Sequence, residues 1–267
     1  MKIRNLAVLK YYPNQGYRLQ IMLIPTIDEG RLLPRGIGKN DKKLDCNLTR
    51  AKNTVYDLAM SNPWTNFVTV TGDPKKRNMM DLQGYHKDYA QFIRDFRKRT
   101  GTSLPYLFVP EPHKSGAWHE HGLTNGLEPG KHLRLFTKDE KLPKHIREKL
   151  VAGRPVYDWP EYREKFGWVD VEPIQNHQKV SAYLMKYVTK EVLNSVKELG
   201  QHSFYASKGL IRPETIKKGP ASCDLVDPDY ENGLCKGKWF SSPDEALKYI
   251  GEMPCASGMP IIQTGDL

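Results

Sequence analysis

The stretch Pro105 to Leu123 restricts the fold more than any other part of the chain. Pro105 to Glu111 and Ala117 to Leu123 read as strands, with only Pro112-His113-Lys114-Ser115-Gly116 between them. A connection this short joins antiparallel neighbours, because a parallel crossover needs a dozen residues or more. Taking Lys114-Ser115-Gly116 as a three-residue hairpin loop puts Gly116 at the left-handed position such loops require. The register then follows: His113 lies opposite Ala117, and Glu111 opposite His119.

Further elements fit around this hairpin. Asn66 to Thr71 (Asn-Phe-Val-Thr-Val-Thr) is a β-branched run closed by Gly72-Asp73-Pro74, and Gly167 to Pro173 alternates as a second strand would. A helix is expected from Asn47 to about Asn62. Another is expected over Leu82 to Arg99, where Tyr85, Tyr89, Phe92 and Phe96 recur at helical spacing, with a basic last turn and Gly101 beyond. A short helix is expected near Pro143 to Val151 and a longer one over Val180 to Leu193, with a last strand at Ser203 to Ala206. Leu6 to Tyr12 and Tyr17 to Leu23 read as a hairpin, and Ser242-Pro243-Asp244-Glu245 as a capping box. The order β-α-β-β-insert-β-α describes an α+β fold, an antiparallel β-sheet with helices packed mainly on one face. Three segments are expected: residues 1–46 as an N-terminal hairpin and loop, 47–216 as the main domain with an insert at 126–165, and 217–267 as a loop-rich extension.

Composition excludes several classes. Apolar residues make up 39% and charged residues 27% of the 267, enough to bury a core. The longest apolar runs, such as Ile21 to Ile24, fall far short of a membrane span. Cys46, Cys223, Cys235 and Cys255 are widely spaced with no CxxC, so neither a disulfide framework nor a zinc knuckle is indicated. The run Met1-Lys2-Ile3-Arg4-Asn5 lacks the apolar segment of a secretion signal, and a cytoplasmic location is the expectation. A net charge of +10 points to polyanionic partners.

Two clusters carry chemistry. On a strand, residues two apart share a face, so His119 and His121 present adjacent imidazoles, and the hairpin register adds Glu111. A carboxylate and two imidazoles suit a divalent cation with positions left open, and His113 on the same face is the alternative ligand. In Tyr183-Leu184-Met185-Lys186-Tyr187-Val188-Thr189-Lys190, a helix places the two tyrosines one turn apart, separated by roughly 6 Å of rise, with Lys190 three residues after Tyr187. A phenol beside an ammonium group is a plausible nucleophile toward phosphate, since positive charge favours phenolate. Alone, either pattern is common: the first fits a polar hairpin edge and the second a packed amphipathic helix.

In combination they resemble the HUH endonuclease superfamily, and within it the rolling-circle replication initiators of plasmids, single-stranded DNA phages and integrated elements. There a strand similar to Phe67-Val68-Thr69-Val70-Thr71 comes first, the histidine pair second and the tyrosine motif third, as here. Strand Gly167 to Glu172 and the run Tyr205-Ala206-Ser207-Lys208-Gly209-Leu210 also look like family members, so the resemblance covers roughly residues 47 to 216. It implies metal-dependent, site-specific nicking and rejoining of single-stranded or stem-loop origin DNA. Mg2+ or Mn2+ would sit on Glu111, His119 and His121. Tyr187 would attack and keep the 5′-phosphate as a phosphotyrosine, Lys190 would steady the phosphate, and Tyr183 would serve a second transfer. Thr69, Thr71 and Lys186 would contact DNA, with Val68 and Val70 turned to the helix-packed side.

One position departs from the family. The residue between the histidines is usually bulky and apolar, and here it is Glu120. A carboxylate on the helix-covered face needs a partner, a local opening, or a bulge that changes the register. The chain also lacks GxxxxGK[ST], so unwinding would fall to a separate host helicase. Two alternatives stand beside the initiator: a single-tyrosine transposase of the same chemistry, and a basic origin-binding protein that does not cut, which the charge supports equally well.

Overall fold

The computed structural model describes residues 3–25, 41–113, 117–189, 192, 202–232 and 235–251. Strands are β1 (Ile3–Tyr12), β2 (Gly16–Pro25), β3 (Asn66–Gly72), β4 (Tyr106–Pro112), β5 (Trp118–Thr124), β6 (Arg134–Leu135), β7 (Tyr157–Asp158), β8 (Gly167–Pro173), β9 (Tyr205–Ala206), β10 (Glu214–Pro220), β11 (Tyr230–Asn232) and β12 (Cys235–Phe240). Helices are α1 (Asp41–Ser61), α2 (Leu82–Thr100), α3 (Lys144–Val151), α4 (Pro160–Phe166), α5 (His177–Leu184) and α6 (Pro243–Leu247), with a 3-10 turn at Met185–Tyr187. The class is α+β, and no described helix is long and apolar enough to cross a membrane.

The chain divides into two compact units, one within Met1–Arg35 and Pro213–Leu267, the other within Gly36–Arg212. The first is a five-stranded sheet of order β10-β1-β2-β12-β11. Ala7, Leu9, Leu19 and Ile21 of its central hairpin pack against Phe240, Ala246, Tyr249 and Ile250. The two ends, expected from sequence to be separate extensions, therefore share a sheet, with β1 paired antiparallel to β10 from Leu6↔Pro220 to Tyr11↔Glu214. The region after residue 213, expected to be loop-rich, supplies three of those strands. Glu214 to Pro220 is mostly polar and exposed, so it carries little periodic signal and is ordered by pairing with an apolar hairpin.

The second unit is a seven-stranded sheet of order β6-β7-β8-β3-β5-β4-β9, every pairing antiparallel. Helix α2 forms as its sequence dictates. The Asp81 carboxylate accepts from the Gly84 N–H at 2.8 Å, and Gly101 ends the helix in the left-handed region at φ 70°. Its buried stripe of Leu82, Tyr85, Tyr89, Phe92, Ile93 and Phe96 packs on Val68, Val70, Phe108, Val169 and Val171, with Trp159, Tyr162 and Phe166 around α4 completing the layer. At about 1.5–3 kcal/mol for each large side chain withdrawn from water, this is the principal core.

The opposite face is covered only at its margins. Val55, Leu58 and Ala59 of α1, with Leu184 and Val188, close over Leu107, Val109 and Leu123 at the β4–β5 side. The insert has a core of its own, Phe136, Leu142, Ile146, Leu150 and Val156, and sets it on Trp168 of β8 at the other side. Between these covers the middle of the sheet stays open as a cleft.

Candidate active site

Strand register places the site residues. Glu111 pairs with His119, and His119 with Thr71 across β5 and β3. One step along, His121 pairs with Thr69, which pairs in turn with Asp170 of β8. The backbone N–H of His113 donates to Ala117 O at 2.8 Å, the pairing expected of the hairpin; the Lys114-Ser115-Gly116 loop lies outside the described residues. Pleating puts Glu111, His119, His121, Thr69 and Thr71 on one face, where all five line a cleft of ≈ 1120 Å³. Val68 and Val70 turn to the other face and are fully buried.

The histidines are held differently. His119 Nδ1 bonds Thr71 Oγ1 at 2.9 Å, which orients the ring and leaves Nε2 as its available nitrogen; the His113 ring lies 4.9 Å away, centroid to centroid. His121 Nε2 bonds Glu111 Oε2 at 2.9 Å, while its buried Nδ1 has no partner among the described residues. Burial is the main cause that lowers both imidazole pKa values, so each ring is neutral at neutral pH, the form that ligates metals. Among the described residues no three His, Cys, Asp or Glu side chains already converge on a metal-holding point. Glu111, His119 and His121 nonetheless form a donor set that fits a divalent cation: one carboxylate, two neutral imidazoles and a ring nitrogen left without a partner.

The tyrosines reach the same place from the other wall. Helix α5 begins at His177, after an Asn176 side chain that accepts from Lys179 N, and ends at Leu184; Tyr187 lies in the 3-10 turn that follows. The helix expected over Val180 to Leu193 therefore starts earlier and tightens before Tyr187. The phenols consequently do not stand apart by a helical rise: Tyr187 Oη donates to Tyr183 Oη at 2.6 Å. Tyr187 lies flat on His121, ring centroids 3.7 Å apart and planes 16° from parallel. Phe67 fills the corner, 5.6 Å from the Tyr183 ring and 6.1 Å from that of His121. Lys186 Nζ sits 5.1 Å from the Tyr183 ring centroid, and Lys190 lies outside the described residues. Burial, then Tyr183, then the Glu111 charge hold the Tyr187 phenol well above the usual tyrosine range, so it is protonated at neutral pH. The electrostatics around Tyr187 thus differ from the phenolate-favouring surroundings expected from a neighbouring lysine.

Glu120 has its partner. Its side chain is fully buried on the α2 face, and His86 Nε2 meets Oε1 at 2.6 Å. The His86 ring in turn stacks on Tyr205 of β9, centroids 3.2 Å apart. No bulge interrupts the β3–β5 or β4–β5 pairing, so the register stands. Gly122 makes room beside this pair, since a Cβ there would meet the Phe108 ring at 2.2 Å.

Sequence reasoning missed the second half of the cleft. Asp170 and Glu172 of β8, His145 and Lys149 of α3, and Lys179 of α5 line it together with the histidines. Strand parity in Gly167 to Pro173 was sufficient to place Trp168, Asp170 and Glu172 on one face. Nothing local marked that face as the one shared with His121.

Residues 65–192 match the family model of the replication-associated protein ORF2. The matched stretch runs from the threonine before β3 through the histidine pair and both tyrosines. No curated protein and no solved structure matches the chain. The similarity fits a replication initiator.

Proposed function

From that similarity, we propose that the chain initiates DNA replication by nicking and rejoining one strand at an origin, with the chemistry of the HUH endonucleases. The observation that carries the proposal is the stack of Tyr187 on His121, which joins the third sequence motif to the second across 66 intervening positions. Such a contact gives a nucleophile and a phosphate-activating centre one common address.

Glu111, His119 and His121 would hold a divalent cation, Mg2+ or Mn2+, which when bound polarises the scissile phosphate. Tyr187 Oη attacks phosphorus, the P–O3′ bond breaks, and the 5′-phosphate stays on the tyrosine while a 3′-hydroxyl is released. Tyr187 must lose its proton in that step, and the proton already lies in the bond to Tyr183 Oη. Tyr183, at hydrogen-bond distance and 42% exposed, is placed to take part in the transfer that closes the strand. Thr71 orients His119, and Thr69 and Lys186 lie beside the path of the DNA. Lys190 would steady the phosphate.

The test uses a random-sequence pool of single-stranded oligonucleotides with Mg2+ or Mn2+ and denaturing electrophoresis. Wild type forms a covalent adduct whose attached 5′ ends share one sequence, and mass spectrometry finds the nucleotide on Tyr187. Tyr187→Phe loses the adduct and Tyr183→Phe retains it. A nucleotide on Tyr183 alone reverses the assignment, and no adduct on either residue defeats the mechanism.

A further inference from the structure

The floor of the cleft beyond the histidines is acidic, which is unexpected in a protein of net charge +10. Asp170 and Glu172 stand there two residues apart on β8. Their situations differ. Glu172 is paired with Lys149 of α3 at 2.7 Å. Asp170 is 3% exposed, and among the described residues it accepts one hydrogen bond only, from Trp168 Nε1 to Oδ1 at 3.2 Å. Trp168 is itself clamped, its ring parallel to Phe136 at 5.5 Å and under the Arg163 guanidinium at 4.3 Å. Asp170 is therefore a rigid carboxylate at the edge of the cleft, with acceptor capacity that the protein leaves unused.

A phosphate is repelled from such a position; the exposed cations Lys179 and Arg154 on the cleft walls suit it better. What a carboxylate accepts from a single strand is the amino group of an unpaired base, whose Watson–Crick edge is accessible once the base is splayed out. The neighbouring walls, Phe67 with Pro143, Pro155 and Pro173, are apolar surfaces that suit base faces. Resting on the proposed single-strand activity, we infer that Asp170 is a specificity-determining residue: it selects an amino-bearing base, cytosine over thymine, in the strand next to the nicking centre. The insert 126–165 gains a role in this arrangement, since α3 neutralises Glu172 and packs behind Trp168, leaving Asp170 as the unneutralised acceptor.

The full chain is titrated by fluorescence anisotropy with labelled dC and dT 12-mers at one salt concentration, as wild type and as Asp170→Asn. The two probes are both pyrimidines and differ at position 4, an amino donor against a carbonyl acceptor. Wild type should prefer dC about fivefold or more, the low end for one specific base contact. Asn presents both a donor and an acceptor, so Asp170→Asn should bring the ratio to within about twofold. Loss of the negative charge alone strengthens binding of both probes equally and leaves the ratio unchanged. Equal wild-type affinities overturn the inference even where the variant fails to fold, and so does a ratio retained in a folded Asp170→Asn. If wild type binds neither probe, the single-strand activity fails instead.

Discussion

Glu120 and His86 offer the sharpest quantitative check on the architecture beneath the histidine strand. Both side chains are buried, at 0% and 7% exposure, and joined at 2.6 Å. Glu120 Oε2 is also buried and has no partner among the described residues, so His86 Nε2 is the only hydrogen bond the carboxyl shows there. His86→Phe keeps a ring to stack on Tyr205 but removes that bond. An unmade buried hydrogen bond costs about 1–3 kcal/mol, and a buried charge stripped of its partner about 3–5 kcal/mol. A carboxyl left with no partner lies where these ranges meet, at about 3 kcal/mol. For a folded unit of this size that is a fall in Tm of about 6–12 °C. Adding Glu120→Leu removes the stranded carboxyl, and the double variant should return to within about 1 kcal/mol of wild type, since apolar replacement of a whole buried pair is often neutral. Denaturation of the full chain followed by tryptophan fluorescence measures this. Trp64, Trp118, Trp159 and Trp168, four of the five tryptophans, lie in the unit that holds the pair. A His86→Phe loss below about 0.5 kcal/mol, or a double variant no more stable than His86→Phe, would refute the reasoning.

His119→Ala and His121→Ala should each abolish nicking of a supercoiled origin plasmid in Mg2+ or Mn2+ while the melting curve stays cooperative; full activity in either variant removes the metal assignment. Because the Tyr187 pKa is raised, the ionised fraction grows about tenfold per pH unit through neutrality, so single-turnover adduct formation should rise with a log–log slope near +1 between pH 6 and 9, and a flat profile would show that proton loss does not limit attack. His119 and His121 have folded pKa values below their ordinary 6.5, so the unfolded chain binds protons first on acidification; their effect on stability is nil above pH 6.5 and a loss as pH falls below it, visible as a lower denaturation midpoint. Affinity for single-stranded DNA should fall steeply between about 50 and 200 mM salt through counterion release, and a salt-insensitive Kd would assign the positive charge to another purpose.

Local rules made the strand-borne part of the site legible in the sequence. A short loop permits only an antiparallel hairpin, and a two-residue period then decides which side chains share a face, so Glu111, His119 and His121 follow from counting. The same counting showed that Glu120 faces the helices and needs a partner, but not that the partner is His86, 34 positions earlier on α2. Nor does a tyrosine spacing reveal that the helix tightens after Leu184, which brings two phenols to 2.6 Å and lays Tyr187 on His121. The joining of β1 to β10 across two hundred residues, and the seating of the insert on Trp168, likewise have no local signature. Period and turn chemistry act over a few residues and are written in the order of the chain. Which distant surfaces meet depends on shape and burial summed over the whole fold, and the groups that would do the chemistry meet only there.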